Sequence, residues 1–183
     1  MVNESEMAIV QERIKDAPVN IVELIGDLGV AYVEEPMDAD SSGRIDYIDG
    51  EYRITVNSDQ SRQRKKFTAA HELSHYLLHR HMLHRRGHLD RLFSSGGQAN
   101  PSSPLSPKHE VEANKLAASI LMPREAVKDL MVWANYNLHD LADRFGVSPA
   151  AMEIRLKVLG IDLEQEAAKE KSGHVGIAYQ FDR

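Results

Sequence analysis

The chain has 183 residues, of which 42% are hydrophobic and 27% charged, and its formal net charge is −6. This length and balance suit one globular domain with small appendages and exclude wholesale disorder. Zero cysteines exclude disulfides, thiolate metal ligands and a cysteine nucleophile, and the acidic pI near 5.8 gives no general attraction to nucleic acid.

The N-terminus, MVNESEMAIVQERIK, is acidic early and lacks the cationic start and apolar core of a signal peptide. No uninterrupted apolar run is long enough for a transmembrane helix. The expectation is a cytoplasmic protein with no membrane partner.

Residues 1–18 read as an N-terminal helical extension. In PVNIVELIGD, Ile21, Val22, Leu24 and Ile25 share one helical stripe, and Leu28-Gly29 marks its stop. AYVEEPM is a short strand, and GRIDYIDGEYRITV reads as two strands joined at Asp49-Gly50, a strong hairpin signal. A long helix follows over about 61–86, carrying Phe67, Ala70, Leu73, Leu77 and Leu78, with Gly87 as a left-handed cap. Residues 94–108 are a loop by composition, with two glycines, three prolines and five serines.

Helical signals resume in HEVEANKLAASILM and PREAVKDLMVWA, where Trp133 reads as core. Residues 137–160 have helix–turn–helix form: Asn137 caps LHDLADRF, Gly146 ends it, and Ser148-Pro149 starts AAMEIRLKVL before Gly160. The tail alternates Val175, Ile177, Tyr179 and Phe181, which predicts a terminal strand. The expected class is α+β, with a small antiparallel sheet on a helical bundle and a helix–turn–helix-like C-terminal pair. Domain boundaries fall at 19–136 for the main body, 137–160 for the helical pair and 161–183 for the tail.

Six of the nine histidines fall between residues 71 and 88. Within them, His71-Glu72-Leu73-Ser74-His75 is an H-E-x-x-H motif on the long helix. Four residues make about one turn, so both imidazoles project from one side, as two ligands of one zinc ion require. Glu72 is placed to take a proton from water that the ion acidifies and to pass it to a leaving amine. A third ligand is open among three sources. His81 has the metzincin spacing, but Leu78 stands where that motif needs a glycine. His79 lies one turn beyond His75. Glu110 or Glu112, from the next helix, would complete a two-histidine, one-glutamate set, and periodicity does not separate them.

The pattern RKKFTAAHELSHYLLH, then a variable loop, then EVEANKLAASILMP, resembles the ImmA/IrrE metallopeptidases, as does the later LADRFGVSPAAMEIRLKVLG. The resemblance covers roughly residues 19–161. It implies a cytoplasmic zinc endopeptidase of bacterial or prophage origin that cleaves a partner XRE-type helix–turn–helix repressor or antitoxin encoded beside it. One catalytic Zn2+ is implied, with Mn2+ as a substitute. Carried over by position, His71 and His75 are the ligands, Glu72 the general base, and Glu112, directly before Ala113-Asn114, the third ligand.

Arg155, Tyr136, His109 and His139 are equal candidates for stabilising the transition-state oxyanion. The basic run Arg62, Arg64, Lys65, Lys66 reads as a solvated face or a dock for an acidic segment. In the 137–160 pair, Arg144, Arg155 and Lys157 balance Asp140, Asp143 and Glu153, so no direct nucleic-acid contact is expected. The alternative reading is a non-catalytic, metal-binding toxin or sensor module that sequesters its partner, for which a fourth ligand such as His79 or His109 would close the site. As an enzyme the chain is expected to be narrow in substrate, with the Arg44–Val56 hairpin as the sheet edge that receives an extended peptide.

Overall fold

The computed structural model describes residues 3–83, 88–91 and 105–177. The chain folds as α+β. Helices α1 (Glu4–Arg13) and α2 (Ile21–Asp27) precede three strands, β1 (Ala31–Glu35), β2 (Ser41–Ile48) and β3 (Glu51–Asn57). The long helix α3 (Arg62–Leu83) leads to a short strand β4 (His88–Arg91), and helices follow as α4 (Pro107–Leu121), α5 (Arg124–Trp133), α6 (Leu138–Phe145), α7 (Pro149–Leu159) and α8 (Leu163–Ile177). No helix among the described residues is long and apolar enough to cross a membrane.

The expected hairpin forms at Asp49-Gly50. Both residues have positive φ, 53° and 90°, as a two-residue turn with the twist of the flanking strands requires. The sheet itself is mixed, not antiparallel. Its order is β1-β3-β2-β4, and β1 runs parallel to β3. The chain therefore crosses from β1 past β3 to β2 before turning back, which local strand signals do not reveal. As a consequence β2 and β3 are interior strands. Among the described residues the edges are β1 and β4, so the Arg44–Val56 hairpin is not a free edge.

Helix α3 lies against β2 and β3 on one side and α4 on another. It is buried all round from Thr68 to Leu77, not only along the Ala70, Leu73 and Leu77 positions. Close approach of α3 to the sheet depends on Gly43, beside an irregularity in the β2–β4 pairing. A Cβ there would lie 2.5 Å from Thr68 Cγ2 and 2.9 Å from the Thr55 carbonyl oxygen. Helix α1 belongs to this body: Val10 is in the core, and Glu6 accepts hydrogen bonds from Arg80 and from the Tyr76 hydroxyl of α3.

The C-terminal helices share the same core through Leu141, Phe145, Met152 and Leu156. Asn137 and Ser148 cap α6 and α7, and Gly146 and Gly160 end them in the left-handed conformation. Two expectations fail here. Helix α8 runs through Val175 to Ile177, where a strand was expected, because Asp162 caps a run of strong helix formers; positions 178–181 lie outside the described residues. Trp133 is 73% exposed, since α5 buries the face of Val127 and Met131 instead. Gly87 and most of the 94–108 loop also lie outside the described residues.

Candidate metal centre

The start of α3 is tied down from three directions. Ser61 Oγ accepts from the Arg64 amide, Arg64 reaches Ser42 Oγ of β2, Lys65 pairs with Glu34 of β1, and Lys66 donates to the Phe145 carbonyl at the end of α6. These three side chains of the basic run thus anchor the helix rather than form a solvated patch. What they orient is one turn further on.

His71 and His75 are 2% and 0% exposed, and their Nε2 atoms stand 3.0 Å apart. Glu110 Oε2, from the first turn of α4, lies 3.3 Å from His71 Nε2 and 3.4 Å from His75 Nε2. Among the described residues this is the group of histidine and carboxylate atoms that converges tightly enough to hold a metal ion. Glu112, the expected third member, is elsewhere: its Oε2 lies 3.2 Å from His79 Nε2.

The reason is the packing of α4. Its buried stripe is Ala113, Ala117, Ile120 and Leu121, in which the two small alanines admit α3 at close range. Glu110 precedes Ala113 by three residues and Ala117 by seven, so it continues that stripe toward the histidines. Glu112 sits about 200° further round, on the side of the half-buried Leu116. Counting Ala113 and Ala117 as core positions would have separated the two glutamates.

The helix begins with a capping box in which Ser106 and His109 satisfy each other, after which Pro107 takes a first helical position. Glu72, adjacent to His71, is fully buried. Its Cγ lies 3.8 Å from where a Cβ on residue 43 would be, which places it against the Gly43 segment of β2.

Both imidazoles are held from behind. His71 Nδ1 is 3.0 Å from Asn114 Oδ1, an acceptor, so the proton belongs on Nδ1 and the Nε2 lone pair faces Glu110. Asn114 is a site residue that the sequence showed only as part of a motif. His75 Nδ1 is 3.1 Å from His79 Nδ1. Burial pushes the His79 imidazole below its usual pKa, against the opposing pull of Glu112. In return, the hydrogen bond from His79 holds the Glu112 carboxyl below the usual carboxylate range.

The remaining candidates separate clearly. Arg155 is buried, and its Nε donates to the Met122 carbonyl at 2.9 Å, so it braces the end of α4 and does not enter the metal cluster. Tyr136 donates to Glu170 of α8. His139 is exposed at the start of α6, and His81 is exposed on α3, because the helix does not break after His75. His109 alone of the four oxyanion candidates stands beside the histidine cluster, its ring 4.7 Å from that of His79.

The two Nε2 atoms and the carboxylate oxygen, 3.0–3.4 Å apart, converge on one point that a cation would occupy once both Nε2 lone pairs are free. These separations are close to the tetrahedral edge of about 3.3 Å that follows from zinc bond lengths near 2.0–2.1 Å. The donor set therefore fits a zinc-like ion.

The sequence model of the family Peptidase_M78, described as the IrrE N-terminal-like domain, matches residues 25–157. None of the curated proteins matches the chain. Among solved structures, a Mycobacterium tuberculosis transcriptional regulator is similar in fold, with a TM-score of 0.55 at 19% identity. The match covers 85% of this chain and 47% of that one, so the chain spans about half the length of this relative.

Proposed function

The chain belongs to the peptidase family of the IrrE N-terminal-like domain, and from that premise we propose that it is a zinc-dependent endopeptidase whose metal is held by His71, His75 and Glu110. One observation carries the reading: Glu110 Oε2 of α4 closes a triangle with the Nε2 atoms of His71 and His75, beside which the buried Glu72 follows His71 on α3. This set replaces the Glu112 ligand that the family resemblance implied.

When bound, zinc would acidify water and polarise a scissile carbonyl. The chain's own residues supply the rest. Asn114 and the His79 ring fix the two imidazoles so that both lone pairs converge. Glu72 accepts the proton of the attacking water and delivers it to the amine nitrogen as the peptide bond breaks. Its burial keeps that carboxylate from bulk water, where proton transfer would be lost to solvent. An extended substrate would lie along β4, the edge strand next to β2.

His79 engages His75 with one ring nitrogen and Glu112 with the other, so it does not act as a fourth ligand. Three protein ligands leave a coordination position open, which favours catalysis over a sequestering module. The substrate we propose is an XRE-type helix–turn–helix repressor or antitoxin encoded beside this chain, cleaved at an exposed segment. The test incubates zinc-loaded protein with the neighbouring repressor and with unfolded casein and identifies products by mass spectrometry. One or a few cuts in the repressor, abolished in Glu72→Gln with zinc retained, are expected. Rapid cleavage of casein at many sites with the repressor intact would overturn the proposed substrate, and loss of zinc from Glu72→Gln would overturn the assignment of the base.

A further inference from the structure

We infer that Glu112 is a positioning residue that acts on the metal centre through His79. The inference rests on the proposed metal site and concerns how His75 is held within it. His79 lies one turn after His75 and is 4% exposed. Its two ring nitrogens are both committed, Nδ1 to His75 Nδ1 at 3.1 Å and Nε2 to Glu112 Oε2 at 3.2 Å.

The direction of this chain follows from proton counting. His75 can offer its Nε2 lone pair to a metal only if its proton sits on Nδ1. That N–H donates to His79 Nδ1, which must then be the bare nitrogen. The His79 proton therefore sits on Nε2 and donates to Glu112. A carboxylate ends the chain because it accepts without needing a donor of its own. Lys108 Nζ, 3.7 Å from Glu112 Oε1, favours the anion, and the His109 ring packs beside His79.

Without Glu112 the two tautomers of His79 become closer in energy. One of them turns an N–H toward His75 Nδ1, and that leaves His75 in the tautomer whose Nε2 carries the proton. A metal ligand whose second nitrogen is held by a carboxylate binds more tightly, and loss of such a support costs about 10- to 100-fold in affinity. Here a second histidine extends the reach of the carboxylate by one ring. This gives Glu110 and Glu112 distinct tasks on one helix: the first reaches the ion, the second sets the proton pattern behind it.

The experiment uses the full chain with Glu112→Ala, Glu112→Gln and Glu110→Ala, each checked for folding by circular dichroism. Glu112 is partly exposed, so its variants should fold where a His79 variant would leave a buried gap. Zinc affinity is read by chelator competition, and the imidazole tautomers of the metal-free proteins by proton–nitrogen correlation NMR.

Glu112→Ala should still bind one zinc at saturation, with affinity lowered about 10- to 100-fold and with mixed tautomers at His75 and His79. Glu112→Gln, whose amide oxygen still accepts from His79, should recover most of both. Glu110→Ala should lose stoichiometric zinc and keep the tautomers. Unchanged affinity and tautomers in Glu112→Ala, with Glu110→Ala defective, would overturn the inference and leave the metal site standing. Loss of stoichiometric zinc in Glu112→Ala but not in Glu110→Ala would make Glu112 the ligand and overturn both. If the wild-type chain binds no zinc, the metal reading fails, and the tautomers still decide the relay.

Discussion

Glu110 and Glu112 stand two residues apart on α4 and meet different histidines of α3. Glu110 Oε2 lies 3.3 Å from His71 Nε2 and 3.4 Å from His75 Nε2, whereas Glu112 Oε2 faces His79 Nε2 at 3.2 Å. Residues two apart on a helix differ by about 200° in direction and about 3 Å along the axis, so these two flank the α3 contact and reach different turns of it. The same pairing of α3 with α4 supplies the other support of the site, since Asn114 is one turn after Glu110 and reaches His71.

Asn114→Ala should weaken zinc binding by about tenfold or more while leaving the fold intact, because His71 Nδ1 loses its acceptor and the ring its orientation. Asn114→Asp keeps an acceptor at that position and should retain most of the affinity. Chelator competition on the two purified variants decides between orientation and a merely structural role.

Gly43→Ala should destabilise the fold by about 1–3 kcal/mol, as overpacking of a tight contact does. The added methyl would meet Thr68 Cγ2 and the Thr55 carbonyl oxygen. Adding Thr68→Ser removes the first of these obstacles and should recover part of the loss. Urea denaturation of both single variants and the double variant gives the coupling; strict additivity would show that the methyl contact is not the cause.

Arg155→Met should cost about 1–3 kcal/mol, since it deletes the donor to the buried Met122 carbonyl, and should leave zinc content and cleavage rate per folded molecule unchanged. A melting curve read beside a metal assay and a turnover assay is enough. A normal Tm with cleavage lost would return Arg155 to the reaction.

Glu34 should contribute stability that depends on pH. Hydrogen bonds from Lys65 and then from Tyr32 hold its folded-state pKa below the usual carboxylate value. A depressed folded pKa means the contribution is fully present above the unfolded value, near 4.3, and is lost as pH falls through the lower folded value. Glu34→Gln should therefore be less stable than the wild type at neutral pH, and the gap should close as the solution is acidified through that window. Denaturant titrations at pH 7 and at about pH 3 test this; a gap that does not depend on pH would assign the loss to packing.

Much of the site was legible because its chemistry is local. His71, Glu72 and His75 lie within five residues of one helix, and helical geometry alone sets both imidazoles on one side. The turn at Asp49-Gly50 and the caps at Asn137, Gly146, Ser148 and Gly160 were legible for the same reason, since each depends on the conformational preference of one or two residues. Arg155 and Trp133 were not. Whether a long side chain enters a cleft, braces a carbonyl or stays in water depends on what lies opposite it, and that is absent from its own segment.

By itself the sequence determined the α+β class, the long helix that carries the H-E-x-x-H motif and the placing of His71 and His75 on one side of it, because all of these follow from spacings of a few residues. Only the tertiary structure decided that β1 joins the sheet in parallel beside β3, that β2 and β3 are interior, and that Glu110 rather than Glu112 meets the two imidazoles. The strand order rests on pairing between distant segments. The choice of glutamate rests on the rotation of α4 against α3, which is set by where Ala113 and Ala117 let the two backbones approach.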